Sequence, residues 1–355
     1  MHIGIPREIM PLEGRVALLP DACRQLVDAG HAVLLEHGAG RLSGYPDAAY
    51  EAAGVRIVGD HAGVFAGSTL IVKVKEPQPE ELGLLTPEHC LFSFLHLAAE
   101  PELSGKLQAI GLTAVGFETV EEDNGDLPIL APMSDIAGRI ATQVATTLLH
   151  SPQGGKGLLL GGIPAADRGR VVIIGAGTAG GNAALLAAAI GAEVTVFDLD
   201  RKRLAAMREL GNNVTALYPY QASLETAVAA ADIVIGAVLN TGRQAPHVVT
   251  RDMVKRMEPG SVIIDISVDQ GGCVETTRPT TYNKPTYLEE GVVHFTVTNM
   301  PGAVPKSASQ ALSAALTPYV LAITRPDWKS SRPLARGINI EAGELRHPAL
   351  KERFA

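Results

Sequence analysis

The chain has 355 residues, of which 46% are hydrophobic and 19% charged, and its 30 basic and 38 acidic side chains give a net charge of −8. This hydrophobic fraction excludes a disordered chain, and a prior of roughly 150 residues per domain predicts two domains. The acidic balance, without a long basic run, argues against a nucleic-acid partner. We expect an α/β enzyme.

Cysteine usage and the N-terminal segment bear on the compartment. The cysteines are few and widely spaced, at Cys23, Cys90 and Cys273. This spacing fits neither a disulfide framework nor a zinc site. The N-terminal segment has Arg7 and Glu8 where a signal peptide needs an apolar core. The longest apolar stretch, from 171 to 197, contains several glycines and favours a strand-turn-helix-strand unit over a membrane helix. We predict a cytoplasmic protein with no metal and no membrane partner.

In the first 130 residues, short β-type runs alternate with amphipathic helical segments. The predicted strands are 2–5, 32–36, 55–58, 70–74, 90–95 and 113–117, and predicted helices include 21–29 and 101–110. Such alternation is typical of a largely parallel sheet covered by helices. We therefore predict a doubly wound first domain.

A long helical pattern from 133 to 149 and a Gly- and Pro-rich segment from 151 to 169 indicate a connection between domains. A second alternating series follows, with predicted strands at 170–174, 193–197, 216–217, 232–238, 261–266 and 292–296. The chain then continues into a helical tail that contains 307–323, whose apolar spacing suits packing against the first domain.

A glycine-rich turn follows the first strand of this second series. Val171 to Ile174 leads directly into Gly175-Ala176-Gly177-Thr178-Ala179-Gly180. Gly175 permits a tight turn, Gly177 lets the backbone approach a pyrophosphate, and Gly180 allows close helix-strand packing. The alternative is a glycine-rich turn that binds no nucleotide, but the strand before it and the Ala-rich helix after it favour a dinucleotide site.

Asp198 ends the next strand, 18 residues after Gly180. A carboxylate at this position binds the ribose hydroxyls of the adenosine and repels a 2′-phosphate, which predicts NAD rather than NADP. A basic cluster follows at Arg201, Lys202 and Arg203, and it could instead receive such a phosphate. Because the carboxylate is present, we favour NAD and interpret the cluster as a solvated helical turn.

Ionisable side chains follow several of the predicted strands. These residues are Arg15, Lys75, His96 and Asp269. Ligands of open α/β sheets bind beyond the carboxyl ends of strands, so a cleft between the domains could collect these groups. Each also has an ordinary interpretation, as a surface charge, a loop histidine or a helix cap. Their shared topological position favours a functional site.

Longer local sequences carry a family resemblance. They are 15–18 (RVAL), 72–77 (VKVKEP), 94–98 (FLHLA), 131–134 (APMS), 268–276 (VDQGGCVET) and 299–305 (NMPGAVP). Together they closely resemble the alanine dehydrogenase family over nearly the whole chain. The resemblance implies two Rossmann-like doubly wound domains with a cleft between them. It implies a discontinuous substrate domain of residues 1–130 and 305–355, an NAD-binding domain of residues 131–304 with the connecting helix at 133–149, and self-association as a hexamer or dimer.

The same resemblance implies a reaction and roles for residues. The reaction is the reversible, NAD-dependent oxidative deamination of L-alanine to pyruvate and ammonia. Arg15, Lys75 and Asn299 would bind the substrate, His96 would be the acid/base, and Asp269 would assist proton transfer. The residues implied at the cofactor are Ser134, Gly175, Gly177, Gly180, Asp198, Arg203, Leu239, Asn299 and Met300. Lys75 could be the base instead of His96 if burial lowers its pKa.

Departures from the family pattern leave alternatives open. Where the family usually has His, Ile-Pro, Gly and Thr-Ser-Thr, this chain has Tyr282, Asn240-Thr241, Ala165 and Ser307-Ala308-Ser309. These changes leave the four proposed catalytic groups intact but bear on the cofactor loops. The alternatives are an oxidoreductase for another L-amino acid or an imine, a transhydrogenase subunit, and a catalytically silent NAD-binding protein.

Overall fold

A computed structural model describes residues 1–238 and 245–354. They form two compact units. The first contains Met1–Met133 and 301–354, and the second contains 134–238 and 245–300. Leu239 to Gln244, which include the proposed cofactor residue Leu239 and the Asn240-Thr241 departure, lie outside the described residues.

The strands alternate with helices through both units. The strands are β1 (His2–Ile5), β2 (Ala32–Glu36), β3 (Arg56–Val58), β4 (Leu70–Val72), β5 (Cys90–Ser93), β6 (Thr113–Gly116), β7 (Arg170–Ile174), β8 (Glu193–Phe197), β9 (Val214–Leu217), β10 (Ile233–Gly236), β11 (Val262–Asp265), β12 (Thr286–Glu289), β13 (Val292–Phe295), β14 (Ile338–Glu341) and β15 (Glu344–Leu345). The helices are α1 (Pro20–Asp28), α2 (Asp47–Glu51), α3 (His61–Ala66), α4 (Pro79–Leu82), α5 (Pro101–Ile110), α6 (Ala131–Leu148), α7 (Thr178–Ile190), α8 (Arg201–Arg208), α9 (Gln221–Ala229), α10 (Arg251–Val254), α11 (Pro305–Ile323), α12 (Arg332–Gly337) and α13 (Pro348–Phe354).

The sheet of the first unit has the order β15-β14-β6-β5-β4-β1-β2-β3. Strands β1 to β6 pair in parallel, and β14 joins β6 antiparallel. The order reverses direction at β1 and β4, which is the doubly wound arrangement. Apolar residues of β4 and β5, such as Ile71 and Leu91, pack with Phe65 of α3 and Leu107 of α5 in a buried cluster. This packing holds β4 and β5 against α3 and α5.

The sheet of the second unit has the order β12-β13-β11-β10-β7-β8-β9. It is parallel except for β12, which pairs antiparallel with β13. Val172 and Ile174 of β7 and Phe197 of β8 belong to its buried core. Both units are therefore α/β, as predicted. Within the described residues, no helix is long and apolar enough to cross a membrane.

Strands β12, β14 and β15 were not predicted from the sequence, and several predicted strands extend beyond the observed ends. The predicted strand at 70–74, for example, ends at Val72. The missed strands belong to hairpins whose two-residue turns are Glu290-Gly291 and Ala342-Gly343, each with positive φ at both positions. Such turns match the twist of a hairpin. Glu and Ala rarely adopt positive φ, so these sequences do not indicate a hairpin turn as Asn-Gly or Asp-Gly would.

Candidate functional site

The glycine-rich turn joins β7 to α7 in the second unit. Gly175 has a φ of +99°, and a Cβ there would lie 2.5 Å from the carbonyl oxygen of Ala237. A Cβ on Gly180 would overlap the carbonyl oxygen of Gly175 and lie 2.9 Å from its carbonyl carbon. Since backbone cannot yield as a flexible side chain does, both positions require glycine. The turn and the first turn of α7 therefore pack directly on each other.

Gly177 precedes α7, and its surroundings differ from those of Gly175 and Gly180. Among the described residues, a Cβ on Gly177 would meet the Arg203 guanidinium at 4.0 Å. The space beside Gly177 is thus open at the N-terminus of α7. Open space beside a helix N-terminus fits the pyrophosphate of a dinucleotide, because the N–H groups and the helix dipole both favour an anion.

Asp198 follows β8 beside this turn. Its carboxylate accepts hydrogen bonds from the backbone N–H of Ala176 at 2.6 Å and of Asp200 at 2.7 Å. The Arg203 guanidinium lies 3.9 Å away. Asp198 therefore fixes the end of β8 to the glycine turn. Arg203, from the basic cluster, contributes a positive charge at the same edge.

Arg15, Lys75 and His96 lie in the first unit, beyond the carboxyl ends of β1, β4 and β5. These strands are neighbours in the sheet order β5-β4-β1. Parallel neighbours place their carboxyl ends on one edge, so the fold brings the three predicted residues to the same edge of this sheet.

Arg15 is buried, with a side chain 3% exposed, and forms a two-point ion pair with Glu13. Arg15 Nε donates to Glu13 Oε1 at 2.8 Å and Nη2 donates to Oε2 at 2.6 Å, and Nη1 lies 3.3 Å from the sulfur of Met133. A bidentate pair fixes the plane of the guanidinium. Glu13 thus orients Arg15. Glu13 itself was not predicted from the sequence.

Lys75 and His96 share a neighbour in Glu76. The Lys75 ammonium lies 3.1 Å from Glu76 Oε2, and the side chains are 12% and 15% exposed. Burial raises the pKa of the Glu76 carboxyl, but the charges of Lys75 and then His96 outweigh it, so that the pKa lies below its ordinary value. An ionised Glu76 therefore stands beside both predicted residues.

The backbone of His96 has a φ of +48°, in the left-handed region. Its N–H donates to Glu118 Oε1 at 2.7 Å, and the N–H of Leu95 donates to Glu118 Oε2 at 3.2 Å. The imidazole is nearly parallel to the Phe94 ring, with centroids 5.7 Å apart. Left-handed backbone at a residue other than glycine costs free energy and persists only where surrounding contacts hold it. Glu118 holds this conformation.

Asp269 belongs to the second unit, in a 3-10 helix, Ile266–Gln270, that follows β11. The segment is organised by the buried Asp265. Its carboxylate accepts from the N–H groups of Ser267 at 2.9 Å, Cys273 at 2.9 Å and Val274 at 3.2 Å and from the Thr277 hydroxyl at 2.8 Å. Burial is the largest influence on Asp265 and raises its pKa. Asp265 therefore fixes both ends of the loop that presents Asp269.

The remaining predicted residues also lie in the second unit. Ser134 is in the first turn of α6. Asn299 has a φ of +65°, and Met300 follows it with 3% exposure. Tyr282, one of the departures from the family pattern, donates its hydroxyl to the Met300 carbonyl at 2.8 Å. This hydrogen bond ties the departure to the proposed cofactor segment.

Comparisons with known proteins agree over both units. Residues 4–137 match the family described as alanine dehydrogenase/PNT, N-terminal domain, and residues 141–348 match its C-terminal domain. The chain belongs to the alanine dehydrogenase/PNT family. An alanine dehydrogenase of Halomonas elongata is 44% identical over 359 residues, covering 100% of this chain and 97% of that protein.

Solved structures are also similar to this chain over almost its whole length. A structure of an L-alanine dehydrogenase has a TM-score of 0.94 at 47% identity and covers 100% of this chain and 99% of its own. A transhydrogenase from Sinorhizobium meliloti has a TM-score of 0.83 at 25% identity and covers 98% and 100%. The predicted family, α/β fold and amino-acid dehydrogenase class are confirmed by these matches.

Several charged residues around the site of this alanine dehydrogenase/PNT family member were not predicted. They are Glu8, Glu13, Lys73, Glu76 and Glu118. Glu8 and Glu118 follow strands β1 and β6, so the rule that identified Arg15 would also have identified them. The backbone N–H groups that Glu8 and Glu118 bind could not be found in this way, because a backbone donor leaves no pattern in the sequence.

Proposed function

We propose that the protein catalyses the reversible oxidative deamination of L-alanine with NAD. In the forward direction, L-alanine, NAD⁺ and water give pyruvate, ammonium, NADH and a proton. The observation that carries the proposal is the set of Arg15, Lys75 and His96 at one edge of the first sheet, in a chain 44% identical to a named alanine dehydrogenase over its full length.

Arg15 and Lys75 supply the positive charge that a substrate carboxylate requires. Glu13 fixes the orientation of the Arg15 guanidinium, and a preoriented donor loses less entropy when it binds a carboxylate. Lys75 is paired with Glu76, which keeps its ammonium at a defined place. We assign Asn299 to the substrate as well, from the resemblance to the family.

His96 is the proposed acid/base. Oxidation at Cα leaves an imine, and a water molecule must lose a proton to attack it before ammonia departs. Imidazole suits this exchange because it gains and loses protons near neutral pH. The Phe94 ring and Glu118 fix the direction of the imidazole. Lys75 remains the alternative base, and Asp269 is assigned to assist proton transfer.

The glycine turn of the second unit is the proposed NAD site. When bound there, NAD accepts the hydride from the substrate. Gly175 forms the turn, Gly180 lets α7 pack on it, and Gly177 would let the backbone approach the pyrophosphate, while Asp198 would bind the ribose hydroxyls. Ser134, Arg203, Leu239, Asn299 and Met300 complete the proposed contacts. Asp198 supports NAD over NADP because a carboxylate repels a 2′-phosphate.

The presence of two compact units supports a division of the substrate and cofactor roles between two domains. We propose residues 1–130 and 305–355 as the substrate domain and residues 131–304, with the helix at 133–149, as the NAD-binding domain. Assembly as a hexamer or dimer and a cytoplasmic location remain predictions from the sequence.

The proposal is tested by following NADH in both directions with purified protein. NADH should form from L-alanine and NAD⁺ at alkaline pH, and it should be consumed by pyruvate plus ammonium near neutral pH. Other L-amino acids and NADP⁺ serve as comparisons, because an extra methylene changes transition-state binding by only about 1–3 kcal/mol and selectivity should be graded. Higher turnover with another amino acid would identify a related dehydrogenase. NADH binding without turnover on any substrate would identify a silent binding protein.

A further inference from the structure

A fully buried lysine lies beside the proposed substrate site. The side chain of Lys73, directly after β4, is 0% exposed. Its ammonium lies 3.2 Å from Glu8 Oε2 and 3.2 Å from Glu81 Oε2, and those side chains are 2% and 0% exposed. Burial lowers the pKa of the Lys73 ammonium, but the charges of Glu8 and Glu81 outweigh it and raise the pKa above its ordinary value. Lys73 is therefore a buried cation.

The Lys73 ammonium also binds the backbone that carries Lys75. It donates to the carbonyl oxygens of Lys75 at 3.1 Å and of Glu76 at 3.3 Å. Glu8 binds the same segment from its N–H side, accepting from Val74 at 2.6 Å and from Lys75 at 3.4 Å. Backbone from 74 to 76 is thus held through both its donors and its acceptors by one ion pair.

Glu81 links Lys73 to further charged residues on the side away from the site. Glu81 Oε1 lies 3.1 Å from His61 Nε2, and His61 Nδ1 lies 2.6 Å from Glu36 Oε2. Glu81 also accepts the N–H of Gln78 at 2.6 Å, at the start of α4. This outer part of the chain of charges binds α3 and α4. Lys73 and Glu8 are the members that contact the segment from 74 to 76.

A buried ion pair is a weak source of stability, since the loss of hydration offsets much of the attraction. Stability alone therefore does not account for an ammonium with two carbonyl contacts on one segment. The segment bears Lys75 and Glu76, whose side chains form an ion pair of their own at 3.1 Å. A shift in its backbone would displace both side chains together.

We propose that Lys73 is a positioning residue for the substrate site: its buried ammonium fixes the backbone of residues 74 to 76 and so sets the place of the Lys75 ammonium. The inference rests on the proposed function, in which Lys75 binds the substrate carboxylate. It assigns Lys73 no contact with substrate. The consequence of losing the ammonium is weaker binding of the 2-oxo acid, with NADH binding unchanged.

The test compares Lys73→Met with Glu81→Gln. Lys73→Met keeps the length of the lysine side chain and removes the ammonium. Glu81→Gln removes a charge from the same group of buried ions, but the Glu81 side chain does not contact the backbone of residues 74 to 76. A double variant, Lys73→Met with Glu81→Gln, removes one cation and one anion together and guards against a single variant that fails to fold. The readouts are the pyruvate KM and kcat, the Kd of NADH, and the rate at which trinitrobenzenesulfonate labels Lys75 with and without pyruvate.

We expect the pyruvate KM to rise about tenfold or more in Lys73→Met and in the double variant, but by less than about threefold in Glu81→Gln, with the Kd of NADH unchanged in all of them. Pyruvate should protect Lys75 from labelling in the unaltered protein and in Glu81→Gln, and protect it poorly in the other two. Equal KM and equal protection in the double variant and Glu81→Gln would overturn the role of Lys73. If pyruvate fails to protect Lys75 in the unaltered protein, the assignment of Lys75 in the proposed function is wrong instead.

Discussion

In the second unit, backbone atoms form the proposed cofactor turn, and the glycines it requires are close in sequence, from Gly175 to Gly180. In the first unit, the proposed substrate edge is made of charged side chains, and its contacts join residues far apart, such as Glu8 and Lys75 at a separation of 67 residues. A site formed by backbone requires space, which glycine provides because it has no side chain. A charged site requires partners, which the fold must bring together.

The two sites should lose function in different ways. An added methyl group should destroy the first kind of site, because the backbone around Gly180 cannot move away. The second kind should fail by loss of orientation or charge while the unit stays folded, because each charge is held by several contacts. Variants in either unit can therefore separate cofactor binding from substrate chemistry.

The largest expected effect belongs to the acid/base of the first unit. His96→Ala should reduce turnover by about 100- to 10,000-fold, because proton transfer to and from the reacting water is lost. NADH binding, assigned to the other unit, should change little. Steady-state kinetics and a fluorescence titration with NADH measure the two effects. His37→Ala is the control, since that side chain is 75% exposed. Parallel loss of turnover and NADH binding in His96→Ala would refute the assignment.

The glycine turn should show the opposite pattern. Gly180→Ala should weaken NADH binding by about 100-fold, roughly 2.8 kcal/mol, because its Cβ would overlap the Gly175 carbonyl. Gly181→Ala is a matched control in the same helix, where the nearest atom to a new Cβ is the flexible Met207 Cε at 3.4 Å. The control should bind NADH within about twofold of the unaltered protein and gain helix stability from alanine. Similar losses in both variants would show that the turn is not the site.

Asp198 contributes a charged side chain to the proposed cofactor site, which is otherwise formed mainly by backbone. Asp198→Ala should reduce the preference for NAD over NADP by about tenfold, since removing a carboxylate ends its repulsion of a 2′-phosphate. Asp200→Ala is the control, because Asp200 caps α8 through Lys202 N at 2.7 Å. Ratios of kcat/KM for the two cofactors measure the change. Equal turnover of both cofactors by the unaltered protein would contradict the NAD assignment.

The smallest effect concerns the stability of the first unit at high pH. Hydrogen bonds that the His61 imidazole donates to Glu36 and then to Glu81 raise the pKa of His61 from 6.5 to about 9. The folded state therefore favours the protonated imidazole, and the stabilisation is complete below pH 6.5 and lost as the pH rises through about 9. His61→Gln should lower the unfolding free energy by about 1 kcal/mol at pH 6 and by less at pH 10. Thermal unfolding across this range measures the difference. An equal loss at both pH values would contradict it.

The features predicted from the sequence are those that local patterns determine. The turn from Gly175 to Gly180 and the parallel strands beside it depend on spacing within one βαβ unit, and the structure has them there. Arg15, Lys75 and His96 were found because they follow strands. Glu8, Lys73 and Glu118 act through contacts across 22 to 66 residues of sequence, and such pairing follows only from the strand order. The positive φ of His96 likewise depends on Glu118 and leaves no local signal.

In the proposed reaction, the hydrogen on Cα of L-alanine is transferred to NAD⁺ as a hydride. The most direct measurement uses L-alanine with deuterium at Cα and determines by mass spectrometry where the deuterium is found after turnover. We expect the NADH produced to carry the deuterium. NADH that forms without deuterium, or a protein that binds NADH but produces none from L-alanine in either unlabelled or labelled form, would contradict it.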